Sequence, residues 1–111
     1  MVWAPMNITL RPITPTDEEF LYGVYASTRA AEMALVPWNE AQKETFVRMQ
    51  FTAQHRHYQE QYPDAAFAVI MADGCPVGRL YVDRWPEEIR IVDITLVPEA
   101  RGAGIGTHLL R

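Results

Sequence analysis

Two groups of residues could do chemistry. The first is the run Arg101-Gly-Ala-Gly-Ile-Gly106, with glycine at 102, 104 and 106. Closely spaced glycines let backbone approach a ligand and adopt positive φ without a Cβ penalty. An apolar, β-branched run precedes the glycines, and helix-forming residues 107–111 follow. Strand, glycine turn, helix start is the order of an anion cradle, because amides left free at a helix N-terminus point at negative charge. The second is Asp93, an acid set among Ile91, Val92, Ile94, Thr95, Leu96 and Val97. A carboxylate within an apolar strand is costly unless paired, and such positions are often functional.

The glycine turn is not a Walker A loop, since Gly106 is followed by Thr107 and not by the Lys-Ser/Thr that ends one. A dinucleotide fingerprint aligned on Gly102 and Gly104 needs glycine where Thr107 stands, and it belongs to a βαβ unit. The Q/R-x-x-G-x-G/A pattern is met in full by Arg101, Gly104 and Gly106. A tight connection without a ligand is the plainer alternative, disfavoured by the backbone entropy of three glycines.

Both groups need elements to position them. Ile8 and Leu10 alternate with Thr9 and Arg11, which predicts a first strand over residues 7–13, at an edge because of Pro12. Thr16 with Glu19 reads as a capping box opening a helix that buries Phe20, Leu21, Val24, Tyr25 and Thr28. From Arg29 to Pro37 the helix either continues or breaks into a loop. Asn39 with Gln42 reads as a second capping box, opening a long helix over residues 39–62 with Val47, Phe51, Tyr58 and Tyr62 on one stripe. His55 and His57 stand two apart on that helix and face different ways, so they cannot share a metal. A three-strand meander follows over residues 66–72, 76–84 and 89–97, with Asp73-Gly74 as the first turn. By parity Ile91, Thr95 and Val97 share a face of the last strand with Asp93, and Val92, Ile94 and Leu96 take the other. That strand is apolar on both faces yet has one neighbour in sequence, so its bare edge invites another strand.

The composition bounds the function. The 111 residues are one domain or part of one, spanning residues 1–111, and 49% hydrophobic content can fill a core. A net charge of −4 argues against nucleic acid or an anionic membrane as partner. One cysteine, Cys75, excludes an internal disulfide and a cysteine-based metal site, which fits a reducing, cytoplasmic location.

With the motif, the flanking Val97-Pro98-Glu99 and Leu109-Leu110, and the order β-α-α-β-β-β-α, the chain resembles the GCN5-related N-acetyltransferases. The resemblance covers nearly the whole chain. It implies an α+β fold, mainly an antiparallel sheet with helices on both faces, and acetyl transfer from acetyl-CoA to a small-molecule or peptide amine. It implies that Arg101, Gly102, Ala103, Gly104, Ile105, Gly106 and Thr107 hold the pyrophosphate of coenzyme A. It also implies that Thr95, Leu96 and Val97 pair through their backbone with the pantetheine arm. A backbone amide near Leu96 or Val97 then polarises the thioester carbonyl. Asp93 becomes the candidate proton acceptor, weighed against a pairing with Arg79 or Arg84. Glu32 and Trp38 become candidate acceptor contacts, against a solvated glutamate and a core anchor. Tyr81 on the second meander strand faces either the cleft or the core. The fold of the family continues with a fifth strand, so the domain is expected to be C-terminally truncated and the edge of strand 89–97 to be covered by a second copy. A non-catalytic module that binds coenzyme A or a protein stays open beside the enzyme.

Overall fold

A computed structural model of the chain describes residues 7–101. The described elements run β1 (Ile8–Pro12), a 3-10 turn (Pro15–Asp17), α1 (Glu18–Met33), α2 (Glu40–Gln61), β2 (Ala66–Ala72), β3 (Cys75–Trp85), β4 (Glu88–Leu96) and a second 3-10 turn (Pro98–Ala100). This is the expected order up to the glycine turn; Gly102 to Thr107 and the expected last helix lie outside the described residues. The four strands form one antiparallel sheet in the order β1-β2-β3-β4. β1 is an edge, as Pro12 implies. Asp73 and Gly74 both take positive φ in the β2–β3 turn, 51° and 83°, as a two-residue hairpin loop requires.

The start of α1 differs from the sequence expectation. A 3-10 turn capped by Thr14 comes first, and Asp17, not Thr16, is the N-cap of α1: the Asp17 carboxylate accepts the Thr14 backbone N–H at 2.8 Å, while Arg11 grips the same carboxylate at 2.9 and 2.8 Å. Pro15 sits at the first position of the turn, where its missing N–H costs nothing. The helix then runs unbroken through Arg29 to Met33. Asn39 caps α2 as expected, with reciprocal bonds to Gln42 of 2.8 and 3.0 Å.

The core has two parts. Leu21 and Tyr25 of α1 meet Val47 and Phe51 of α2, with the Phe51 ring 5.8 Å from Tyr22 and 5.9 Å from Tyr25. On one sheet face Ile70, Leu80 and Val82 gather with Ala100 and, less buried, Ile8, Ile94 and Leu96. The opposite face carries Arg79, Tyr81 and Asp93, and α2 lies against it through Gln54 and Tyr58.

The third meander strand holds a surprise in register. Tyr81 pairs with Asp93, but Val82 pairs with Ile91, so Val92 is an extra residue on β4. Such a bulge flips the alternation. Ile91 therefore stands opposite Val82, on the Leu80–Ile94 side, and not with Asp93 as simple parity has it. Gly78 permits the close approach of β3 to β4. A Cβ there would run into the Thr95 carbonyl oxygen and reach within 3.0 Å of Leu96 Cα.

Candidate active site

The site is built at the bulge. Asp93 follows the extra residue, and its carboxylate is held from three elements. Arg79 of β3 donates to both oxygens, at 3.3 Å from Nε and 2.9 Å from Nη2. Thr95 Oγ1 donates at 2.6 Å and the Tyr58 hydroxyl of α2 at 2.9 Å. Arg79 reaches on to Gln54 Oε1 of α2 at 3.0 Å. Gln54 and Tyr58 lie one helical turn apart, so one face of α2 presents both. Arg79 and Asp93 keep 3% and 11% of their side-chain surface, which makes this a buried ion pair whose desolvation is offset by added hydrogen bonds.

Tyr81 lies beneath this network, with Phe67 at 4.8 Å and Tyr58 at 5.7 Å, both edge-on. It is wholly buried and its hydroxyl has no partner among the described residues, so it faces the core and not a cleft. Burial raises its pKa. Burial, then the bond to Asp93, pushes Tyr58 up to about 12, so it stays a donor and a neutral phenol.

The candidate cofactor strand has a defined phase. Val97 N–H donates to the Val77 carbonyl at 2.8 Å. In an antiparallel ladder such pairs alternate with pairs whose backbone groups point away. Thr95 and Val97 therefore turn their backbone toward β3, and Ile94 and Leu96 turn theirs toward the open side, where no described strand pairs. Of the two amides expected to meet a thioester carbonyl, Leu96 is the one presented. Arg101 folds back over this end, with Nε 3.2 Å from the Leu96 carbonyl and Nη2 3.4 Å from Ser27 Oγ of α1. Its guanidinium thus ties the turn to the strand.

The candidate acceptor residues do not converge with Asp93 into one cluster. Glu32 is exposed and pairs with Arg29 at 3.2 Å, and Arg29 also donates to the Tyr25 hydroxyl at 3.1 Å. Trp38 is 41% exposed and edge-on to Phe46 at 5.3 Å, beside a shallow apolar hollow formed with Thr45 and Met49. Sequence reading named Arg79 as a possible partner of Asp93 but missed Tyr58, Gln54 and the Thr95 hydroxyl. The helical spacing of Gln54 and Tyr58 was the available signal. Arg84, the other possible partner, stands opposite Ile89 near the hairpin tip.

A family model described as the acetyltransferase (GNAT) family matches residues 30–111. The chain belongs to the acetyltransferase (GNAT) family. Its fold is similar to the crystal structure of PaiA N-acetyltransferase from Thermoplasma acidophilum in complex with coenzyme A. The two share 21% identity with a TM-score of 0.61, over 95% of this chain and 68% of that one. At that identity the likeness establishes the GNAT fold. No curated protein matches the chain. Within this GNAT chain the family match spans α2, the whole meander and the Arg101 turn, so it contains Asp93 and both of its partner elements.

Proposed function

We propose that this GNAT chain binds acetyl-CoA along the open side of β4 and supports transfer of the acetyl group to an amine. The observation that carries the reading is the ladder phase fixed by the Val97–Val77 bond. It leaves the backbone of Ile94 and Leu96 facing outward, immediately before the Arg101 turn, as strand-like capture of an extended ligand requires. The residues fit the cofactor. Leu96 offers an amide, Thr95 and Val97 keep the strand in register, and Arg101 with Gly102, Ala103, Gly104, Ile105, Gly106 and Thr107 would hold the pyrophosphate. Bound acetyl-CoA supplies an activated acetyl thioester. The chain's own part is to fix that thioester, donate the Leu96 N–H toward its carbonyl and exclude water around it.

For Asp93 we favour a positioning role over proton abstraction. Four hydrogen bonds from three residues already occupy its two oxygens, two of them from Arg79. Each oxygen thus already accepts two hydrogen bonds, which leaves no open site for a substrate proton. Glu32 and Trp38 are proposed acceptor contacts on different grounds: Glu32 is an exposed acid that can draw an ammonium, and Trp38, six residues on, offers an exposed aromatic ring.

The bulge divides the β4 edge. Ile89 and Ile91, 61% and 41% exposed, lie before it, and Ile94 and Leu96 lie after it. A second copy can pair with the outer half while the inner half receives the cofactor. Sedimentation of Ile89→Lys tests this: an unchanged oligomer removes the outer half as an interface, and a monomer from an oligomeric parent supports it. The functional reading itself is tested with acetyl-CoA and a panel of amines, by calorimetry and by release of free thiol. Binding with thiol release supports an enzyme. Binding without release across the panel favours a non-catalytic coenzyme A module.

A further inference from the structure

We infer that the Gln54–Arg79–Asp93–Tyr58 network is a staple whose task is to hold the bulged edge strand in the position that receives the cofactor. The inference rests on the reading of β4 as the cofactor strand. Strand β4 has lateral support from β3 alone among the described residues, and the extra residue at Val92 interrupts that ladder just before the segment that must stay in place. A bulge bends its strand and frees local backbone. Asp93 is the first residue past the interruption that pairs across to β3, and it is the residue on which donors from α2, β3 and β4 converge, at 2.6 to 3.3 Å.

The geometry makes each member distinct. Arg79 stands opposite Thr95, so its bond to Asp93 runs diagonally across the β3–β4 ladder and resists sliding of one strand past the other. The Tyr58 bond links β4 to α2 and resists lifting of the strand away from the helix. Gln54, one turn back on α2, holds Arg79 from the same side and keeps its fork turned toward Asp93. The Thr95 hydroxyl closes the set within β4, one residue before the outward-facing Leu96. A network in which each charged group is satisfied rigidifies what it touches. Tyr58 and Gln54 are thus positioning residues for a site they do not touch.

The full chain carries the test, with Tyr58→Phe as the mildest cut because it removes one hydroxyl and keeps the ring. The first readout needs no ligand: amide hydrogen exchange at Thr95 and Val97, whose N–H groups face β3. Tyr58→Phe should speed exchange there while leaving exchange in β2 unchanged. The second is acetyl-CoA affinity by calorimetry, which should weaken about tenfold for the loss of one hydrogen bond to a carboxylate. The double variant Tyr58→Phe/Asp93→Asn should bind no more weakly than Asp93→Asn alone, since both changes open the same staple. A purely structural bond would lower the melting temperature and leave the affinity of the folded fraction unchanged, and that result overturns the inference. Additive losses in the double variant also overturn it. If the unaltered chain binds no acetyl-CoA, the cofactor reading fails, and the exchange experiment still decides the staple: unchanged rates at Thr95 and Val97 refute it.

Discussion

Replacing Arg79 by methionine removes one charge from a pair that has almost no access to water. Arg79 and Asp93 expose 3% and 11% of their side chains, so the stranded carboxylate cannot recover its hydration. Breaking a buried pair from one side costs about 3–5 kcal/mol. Asp93 would keep the Tyr58 and Thr95 hydroxyls at 2.9 and 2.6 Å, which places the loss near the lower end. Gln54 Oε1 loses its donor as well, for about a further 1 kcal/mol. The expected cost is therefore about 4 kcal/mol, and at several degrees per kcal/mol the melting temperature should fall by on the order of 15 °C or more. Urea unfolding of Arg79→Met, Asp93→Leu and the double variant gives the decisive comparison. Each single change should be strongly destabilising. The pair together should recover at least about 2 kcal/mol relative to the sum, because no uncompensated charge is left inside. Single losses under about 0.5 kcal/mol, or losses that simply add, would refute the account of a desolvated and mutually dependent pair.

Three further outcomes follow from the same structure. Arg11 and the Thr14 amide hold the Asp17 carboxyl far below the usual carboxylate range, so its stabilisation is full above about pH 4, the unfolded value, and is lost as pH falls toward the depressed folded value. Asp17→Asn should thus cost about 1–3 kcal/mol at pH 7, and thermal unfolding at falling pH should show the gap to the unaltered chain closing below pH ~4. Tyr58, pushed up to about 12, keeps its stabilising neutral form below pH ~10 and loses it as pH rises through the folded value. Absorbance titration should show a late phenolate phase shared by Tyr58, Tyr81 and Tyr22, all raised by burial, and Tyr58→Phe should shrink it by one residue; no change in the late phase would place Tyr58 elsewhere. Gly78→Ala should destabilise by about 1–3 kcal/mol, since its Cβ meets the Thr95 carbonyl and the Leu96 backbone, and a neutral result would mean that β3 and β4 do not approach so closely.

Much of this was legible in the chain because it is written in local patterns. The glycine spacing after an apolar strand named the family, and the Asn39–Gln42 box and the Asp73-Gly74 turn set two boundaries directly. α1 begins one residue later than the Thr16–Glu19 pattern implies, behind a 3-10 turn, because Thr14-Pro-Thr-Asp17 offers two overlapping caps. Proline at the first position and the reach of Arg11 select the earlier one, and the second cause is tertiary. The face of Ile91 was misjudged because one extra residue at Val92 resets a period of two, and nothing in a β-branched run announces it. Asp93 could be singled out as an acid in an apolar strand, but its chemistry depends on donors from residues 54, 58 and 79. Their convergence is set by how α2 crosses the sheet, which sequence spacing does not encode.

The central claim is that the outward-facing backbone of β4 and the adjoining glycine turn receive acetyl-CoA. Titration of the isotopically labelled chain with acetyl-CoA, read at backbone amides, tests it most directly. The account predicts saturable shifts at Ile94, Leu96, Gly102, Gly104 and Gly106, with the β3-facing amide of Val97 much less affected. Saturation without movement at Ile94 and Leu96, or no shifts at millimolar acetyl-CoA, would contradict it.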